Sequence, residues 1–131
     1  MTRIVLHIGA PKTGTTAIQG YLSHHEAAFR ASGVNFARSG RRHIAHNALP
    51  RIIRAGGAPE FFEGLQSEIS DFGPGVQIIS SELLFGPAVG QTMAQAVAAH
   101  MDAGFLKNTT VICYLRRHDR YIEALYKQKV K

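Results

Sequence analysis

Apolar and polar positions divide the 131 residues into short runs with two different periods. Residues 3–8, RIVLHI, are a compact and partly β-branched apolar run, which predicts a buried strand. From Thr15 the period changes. Ile18, Tyr21, Leu22 and Phe29 fall near one helical face and Gly33 supplies a stop, so a helix is expected within 15–33. Gly20 costs that helix about 1 kcal/mol relative to alanine, too little to break it. Residues 34–50, VNFARSGRRHIAHNALP, show neither period and are rich in Arg and His, the composition of a functional loop. A short helix is expected from about Asn47 to Arg54, ending at Gly56-Gly57.

Pro59 opens a stronger helix, with Phe61, Phe62, Leu65, Ile69 and Phe72 at amphipathic spacing before Gly73-Pro74-Gly75. VQIIS, 76–80, predicts a second buried strand, and a helix is expected from about Ala88 to Ala103. TTVICYL, 109–115, predicts a third strand. The last segment places Ile122, Leu125, Tyr126 and Val130 on one stripe of a helix that Asp119 would N-cap. Strands alternating with helices predict an α/β fold, a three-layer sandwich around a parallel sheet with right-handed crossovers. Nothing along the chain marks a linker or repeat, so 1–131 is expected to be a single domain. Three strands make a thin sheet and the final stripe runs to the last residues. The expectation is therefore a C-terminally truncated domain with an exposed sheet edge, prone to homo-oligomerise.

Composition narrows the classes of function. A hydrophobic fraction of 45% with 18% charged residues is that of a folded globular chain, not a disordered one. No apolar run approaches the ~20 residues of a membrane span, and the short first run before Pro11 does not resemble a signal peptide. One cysteine, Cys113, excludes an internal disulfide framework; it is expected to be packed within its strand, and the chain to be cytoplasmic. The net charge of +6 invites a nucleic-acid partner, but there is no aromatic–basic alternation and no zinc-finger spacing. Small polyanions explain the basic clusters equally well.

The segment HIGAPKTGTT, residues 7–16, stands where a first strand turns into a first helix, the place where open α/β sheets bind ligands. Gly9 and Gly14 let backbone approach a phosphate, Lys12 adds charge, and Thr13, Thr15 and Thr16 offer hydroxyls. The spacing Gly9-x4-Gly14 imitates a nucleoside-triphosphate loop, yet the residues after Gly14 are Thr15-Thr16 and the lysine lies two places before it. The third strand runs into Leu115-Arg116-Arg117, and strand-end arginines bind phosphate directly and make poor neighbours for a metal.

PKTGTT, 11–16, together with YLRRHDRYIEALY, 114–126, resembles the sulfotransferase family in both motifs and their order, at the two ends of the chain. The resemblance implies a P-loop NTPase-like α/β fold and 3′-phosphoadenosine 5′-phosphosulfate (PAPS) as donor cosubstrate, with no metal. It implies that Pro11, Lys12, Thr13, Gly14, Thr15 and Thr16 hold the 5′-phosphosulfate and that Arg116 holds the 3′-phosphate, with Lys12 also acting in catalysis. Ala124 stands eight residues beyond Arg116, where the family has a serine, and Arg117-His118 stand where it often has Asn-Pro or Asp-Pro.

The implied reaction moves a sulfuryl group to a hydroxyl or amine, so a proton acceptor is needed. His43 and His46 are candidates, three residues apart and able to share a face if their segment is helical. The same pair could suggest zinc, but no third ligand stands at a recognisable spacing. Glu82, just past the second strand, is the third candidate base. His7 is expected to be a packed core residue. The acceptor is expected to be a glycan, lipid or other small molecule, with nothing in the sequence choosing among them, and specific nucleic-acid binding is not expected. Two other readings stay open on the residues alone: a P-loop kinase or NTPase, and a non-catalytic nucleotide- or nucleic-acid-binding module.

Overall fold

The computed structural model describes residues 1–130, in one four-stranded, all-parallel sheet with helices against both faces. The elements in chain order are β1 (Arg3–His7), α1 (Thr15–His24), α2 (Glu26–Ala31), β2 (Val34–Phe36), α3 (Leu49–Arg54) and α4 (Ala58–Phe72). They continue as β3 (Val76–Ser80), a single 3-10 turn (Glu82–Leu84), α5 (Pro87–His100), α6 (Ala103–Lys107), β4 (Thr109–Ile112) and α7 (His118–Lys129). The strand order is β2-β3-β1-β4. β1 is therefore an inner strand, with Leu6 opposite Ile79 of β3 on one side and Val111 of β4 on the other.

The expected architecture holds in its layers and needs correction in its parts. The sheet has four strands, not three, because Val34–Phe36 pairs with Val76–Ile78. Three residues are too few to show a period, and they sit inside a segment whose Arg and His content reads as loop. The helix expected over 15–33 is two helices broken at His25, whose φ of −103° and ψ of 22° leave the helical region. Residues 103–107, expected to lie at or just beyond the end of the helix before them, form the separate α6, which Asp102 N-caps by accepting from the Phe105 amide at 2.8 Å. Asp119 does not cap α7: Arg117 takes that position, and Asp119 lies one residue inside the helix, paired with Arg117 through two 2.7 Å bonds.

Residues alternate between the two faces. Ile4, Leu6 and Ile79 belong to the face that carries the main core, where Leu49, Phe61, Phe62, Leu65, Met93 and Val97 of α3, α4 and α5 pack. Towards β2 this face turns polar: Asn35 donates to Gln77 at 2.6 Å and to Glu68 of α4 at 2.8 Å. His7 and Ser80 belong to the opposite face, which α1 approaches through Gln19. β4 is an edge strand, so the apolar run 109–115 is less buried than its composition predicts: Val111 is 56% exposed. Cys113 is exposed as well, which overturns its expected packing; the strand ends one residue before it. The stripe of α7 also faces outward at Ile122, Tyr126 and Val130. Among the described residues, no helix is long and apolar enough to cross a membrane.

Candidate functional site

Three chain segments leave the C-terminal ends of neighbouring strands and meet. The first is the turn after β1. Gly9 has φ +117°, a conformation that strains any side chain, and a Cβ there would stand tightly, 3.2 Å from the Cα and carbonyl oxygen of Glu82 and from Phe85 Cβ. Lys12 has φ +63°, a left-handed conformation that costs a non-glycine residue about 1–2 kcal/mol. Its side chain is exposed, and Thr13 Oγ1 donates to the Ala10 carbonyl at 2.5 Å, closing the turn beneath it. Gly14, φ +83°, is the N-cap of α1 and offers no side-chain cap. The amide groups at the start of α1 are left to other acceptors, and the helix dipole favours a negative one.

The second segment is the turn after β3. Ser81 N-caps it, accepting from the Leu83 amide at 3.2 Å, and the next residue, Glu82, is half-buried. Thr15 is 2% exposed and its Oγ1 donates to Glu82 Oε2 at 2.9 Å. The hydroxyl expected to touch phosphate instead holds Glu82 against the loop. Thr16, exposed on the first turn of α1, is free of that bond.

The third segment follows β4. The Ala10 amide donates to the Tyr114 carbonyl and the Tyr114 amide to the Gly9 carbonyl, each at 2.7 Å, extending the sheet past its last paired residue. Two residues on, Arg116 Nη1 donates to the Lys12 carbonyl at 2.9 Å. Residues 104 apart in sequence are thus in contact, with the rest of the Arg116 guanidinium exposed. Ala124 lies on the second turn of α7, half-buried, with no hydroxyl to contribute.

The candidate bases separate. His43 and His46 do not share a helical face, because residues 42–45 form a tight antiparallel bridge in which the Arg42 amide donates to the Ala45 carbonyl at 2.9 Å. His43, at φ +56°, is exposed, whereas His46 is 0% exposed. His46 is held on both ring nitrogens: Nδ1 accepts from the Ser80 amide at 3.1 Å and Nε2 donates to the Ala37 carbonyl at 2.9 Å. Its own amide donates to the Ser80 carbonyl at 2.8 Å. These bonds staple the Arg-rich loop to the end of β3, and they leave the ring no free nitrogen for substrate. Of the three candidates, Glu82 alone bonds to the Lys12 loop.

Beneath the loop lies a polar group that the sequence did not announce as such. Ser80 Oγ accepts from Gln19 Nε2 at 3.0 Å and is joined to His7 Nδ1 at 2.8 Å; all three residues are at least 96% buried. They belong to β3, α1 and β1, so one hydroxyl ties together the elements that carry Glu82 and both ends of the loop. Ser81 Oγ similarly donates to Asn47 Oδ1 at 3.0 Å. The available signal was a glutamine four residues after Thr15 and three before Leu22, on what becomes the buried face of α1.

Burial moves both histidines in one direction. It lowers His46 from 6.5 to about 4, and it lowers His7 as well. The unfolded chain therefore takes up a proton before the folded one as pH falls. Stability is fully present above about pH 6.5 and is lost between pH 6.5 and 4, by on the order of 2–3 kcal/mol for His46. Melting temperature should drop between pH 7 and pH 5, above the range in which Glu26 and Glu68 titrate, and His46→Gln should flatten that drop. Equal melting temperatures across this window would remove His46 from the account.

No protein-family model, curated protein or solved structure matches the chain, so the arrangement of these residues carries the functional reading.

Proposed function

We propose that this chain is a sulfotransferase-type domain of P-loop-like architecture, transferring a sulfuryl group from PAPS to a hydroxyl or amine acceptor. The observation that carries the reading is the bond from Arg116 to the Lys12 main chain, since it seats the two family-like segments against each other. The position of β1 between β3 and β4 supports it too, because the loop, the Glu82 turn and the Arg116 segment all emerge at adjacent strand ends. The residue after Gly14, where a triphosphate loop carries its lysine, is Thr15, turned inward onto Glu82. That weakens the kinase reading.

The residues present fit the donor. Gly9 removes side-chain bulk under the loop, and the uncapped start of α1 presents amide donors. Lys12 and these amides would face the charge developing on the leaving 5′-phosphate oxygen. The exposed part of the Arg116 guanidinium would take the 3′-phosphate in a bidentate grip. Glu82 Oε2 is occupied by Thr15, which leaves Oε1 to receive the acceptor's proton. As that proton leaves, the acceptor oxygen or nitrogen bonds to sulfur and the bond from sulfur to the phosphate oxygen breaks. Its electron pair stays on adenosine 3′,5′-bisphosphate. Fixed cations and backbone dipoles stabilise the charge, so the arrangement calls for no metal.

The test is discrimination between adenosine 3′,5′-bisphosphate and AMP. Arg116→Ala should weaken the bisphosphate by about 1–3 kcal/mol, the scale of a charge-assisted contact, and leave AMP nearly unchanged. Equal losses for the two ligands in calorimetric titration would mean that Arg116 does not read the 3′-phosphate.

A further inference from the structure

β4 closes one side of the sheet, and among the described residues no strand lies beyond it. Its bonds inward alternate. The Ile4 and Ile8 amides donate to the carbonyls of Asn108 and Ile112, and the Tyr114 amide donates to the Gly9 carbonyl at 2.7 Å. The amides and carbonyls of Thr109, Val111 and Cys113 therefore point away from the sheet. Edge strands are ordinarily kept from pairing by charge, proline, a bulge or shortness. The other edge, β2, has three residues, whereas residues 108–115, NTTVICYL, form a longer run with no charge and no proline. On the core face, where Thr109 and Val111 stand beside Ile4 and Leu6, an apolar cavity of about 260 Å³ lies between the sheet, α5 and α6. Phe105, Leu106 and Val111 help to line it, and Leu106 and Val111 are exposed. Gly90 and Ala94 line it from α5, and a Cβ at Gly90 would meet nothing within 4 Å. Cations bracket the edge: residues 103–117 contain Lys107, Arg116 and Arg117 and no Asp or Glu.

We infer that the β4 edge is a docking site for an extended segment of another protein, apolar at alternate positions and acidic at both ends. Its main chain adds a fifth strand by pairing with the outward groups of Thr109, Val111 and Cys113. Every second side chain of such a strand points to the core face, where the cavity receives it. Its carboxylates meet Lys107 at one end and the Arg116-Arg117 pair at the other. A second copy of this chain fits the edge less well. Antiparallel self-pairing centred on residues 109–115 brings the Lys107 end of each copy to the Arg116-Arg117 end of the other, between chains that each carry +6. Like charges set opposite one another across a ladder are destabilising, and acidic ends replace that repulsion with attraction. The inference does not depend on the sulfuryl-transfer reading.

The experiment is fluorescence polarisation of labelled synthetic peptides titrated with the whole chain. The probe is a valine–threonine alternation as long as residues 109–115 with glutamates at both ends. Its controls carry lysines in place of the glutamates, or methyl groups on the main-chain amides. The glutamate-ended peptide should bind at least about ten-fold more tightly than either control, and its lead over the lysine-ended one should shrink as salt rises. Val111→Pro removes an outward amide that β1 does not use, and Gly90→Leu puts a side chain into the cavity. Each should weaken the peptide about ten-fold or more with an unchanged far-UV circular dichroism spectrum. Leucine favours a helix over glycine, so Gly90→Leu carries the test even if Val111→Pro does not fold. Absence of binding, equal binding of either control, or parental affinity in Gly90→Leu overturns the inference. A dimer in sedimentation that Val111→Pro breaks and the peptide does not displace overturns it too, and makes a second copy the occupant.

Discussion

Glu82→Gln should lower sulfuryl transfer by roughly 100- to 10,000-fold, the usual contribution of a positioned general base. The amide keeps an oxygen that can accept from Thr15, so the 2.9 Å bond that orients residue 82 can persist while the proton acceptor is lost. Binding of adenosine 3′,5′-bisphosphate should change little, because the role proposed for Glu82 is on the acceptor. The comparison that gives the result its meaning is His43→Gln, in the exposed bridge turn, for which turnover should stay within a few-fold of the parent. Single-turnover rates with saturating donor measure both. If His43→Gln is the damaging substitution and Glu82→Gln is not, the base has been assigned to the wrong side of β3.

Lys12→Gly separates charge from conformation. Lysine at φ +63° pays a conformational penalty that glycine does not, so the variant should be as stable as the parent or more stable by up to about 1 kcal/mol. Binding of adenosine 3′,5′-bisphosphate should nonetheless weaken by about 1–3 kcal/mol, ten-fold or more, through loss of the exposed cation. A structural lysine would give the reverse: lower melting temperature and unchanged affinity. Thermal melts and calorimetry on one preparation distinguish the two outcomes.

Periodicity was informative where one face of an element is buried against another. α4 shows this: Phe61, Phe62 and Leu65 are buried, at the spacing read from the sequence, and Pro59 and Gly73 mark its ends. β1 and β3 were legible for a different reason, as short, compact apolar runs rich in β-branched residues. β2 was not, because three residues carry no period and the partner that makes them a strand is 42 positions away, Asn35 opposite Gln77. The break at His25 has no glycine or proline to announce it. Cys113 looked buried because its neighbours are apolar, but β4 lies at the sheet edge, a property of topology that composition does not encode.

The candidate site divides along the same line. The loop 11–16 was readable because its chemistry is local: a cation, small residues and hydroxyls in one turn. Arg116 was readable as a strand-end arginine and, for its separate role, through the resemblance of a distant segment, and the structure brings its guanidinium to Lys12. The roles of the bases were not readable. His46 looked like a loop histidine, yet its partners Ala37 and Ser80 come from the ends of β2 and β3 and make it a buried staple. Glu82 gained its place from Thr15, a contact spanning 67 residues. Long-range hydrogen bonds decide which polar residue is structural and which is available, and no local pattern encodes them.

The most direct test of the central claim is calorimetric titration of the chain in a metal chelator with adenosine 3′,5′-bisphosphate, set beside ATP with Mg²⁺. One bisphosphate should bind without metal, the melting temperature should rise with ligand concentration by linkage, and ATP should bind clearly more weakly whether or not Mg²⁺ is present. Tighter binding of ATP that depends on Mg²⁺, with no response to the bisphosphate, would contradict that claim and make the loop that of a kinase or NTPase.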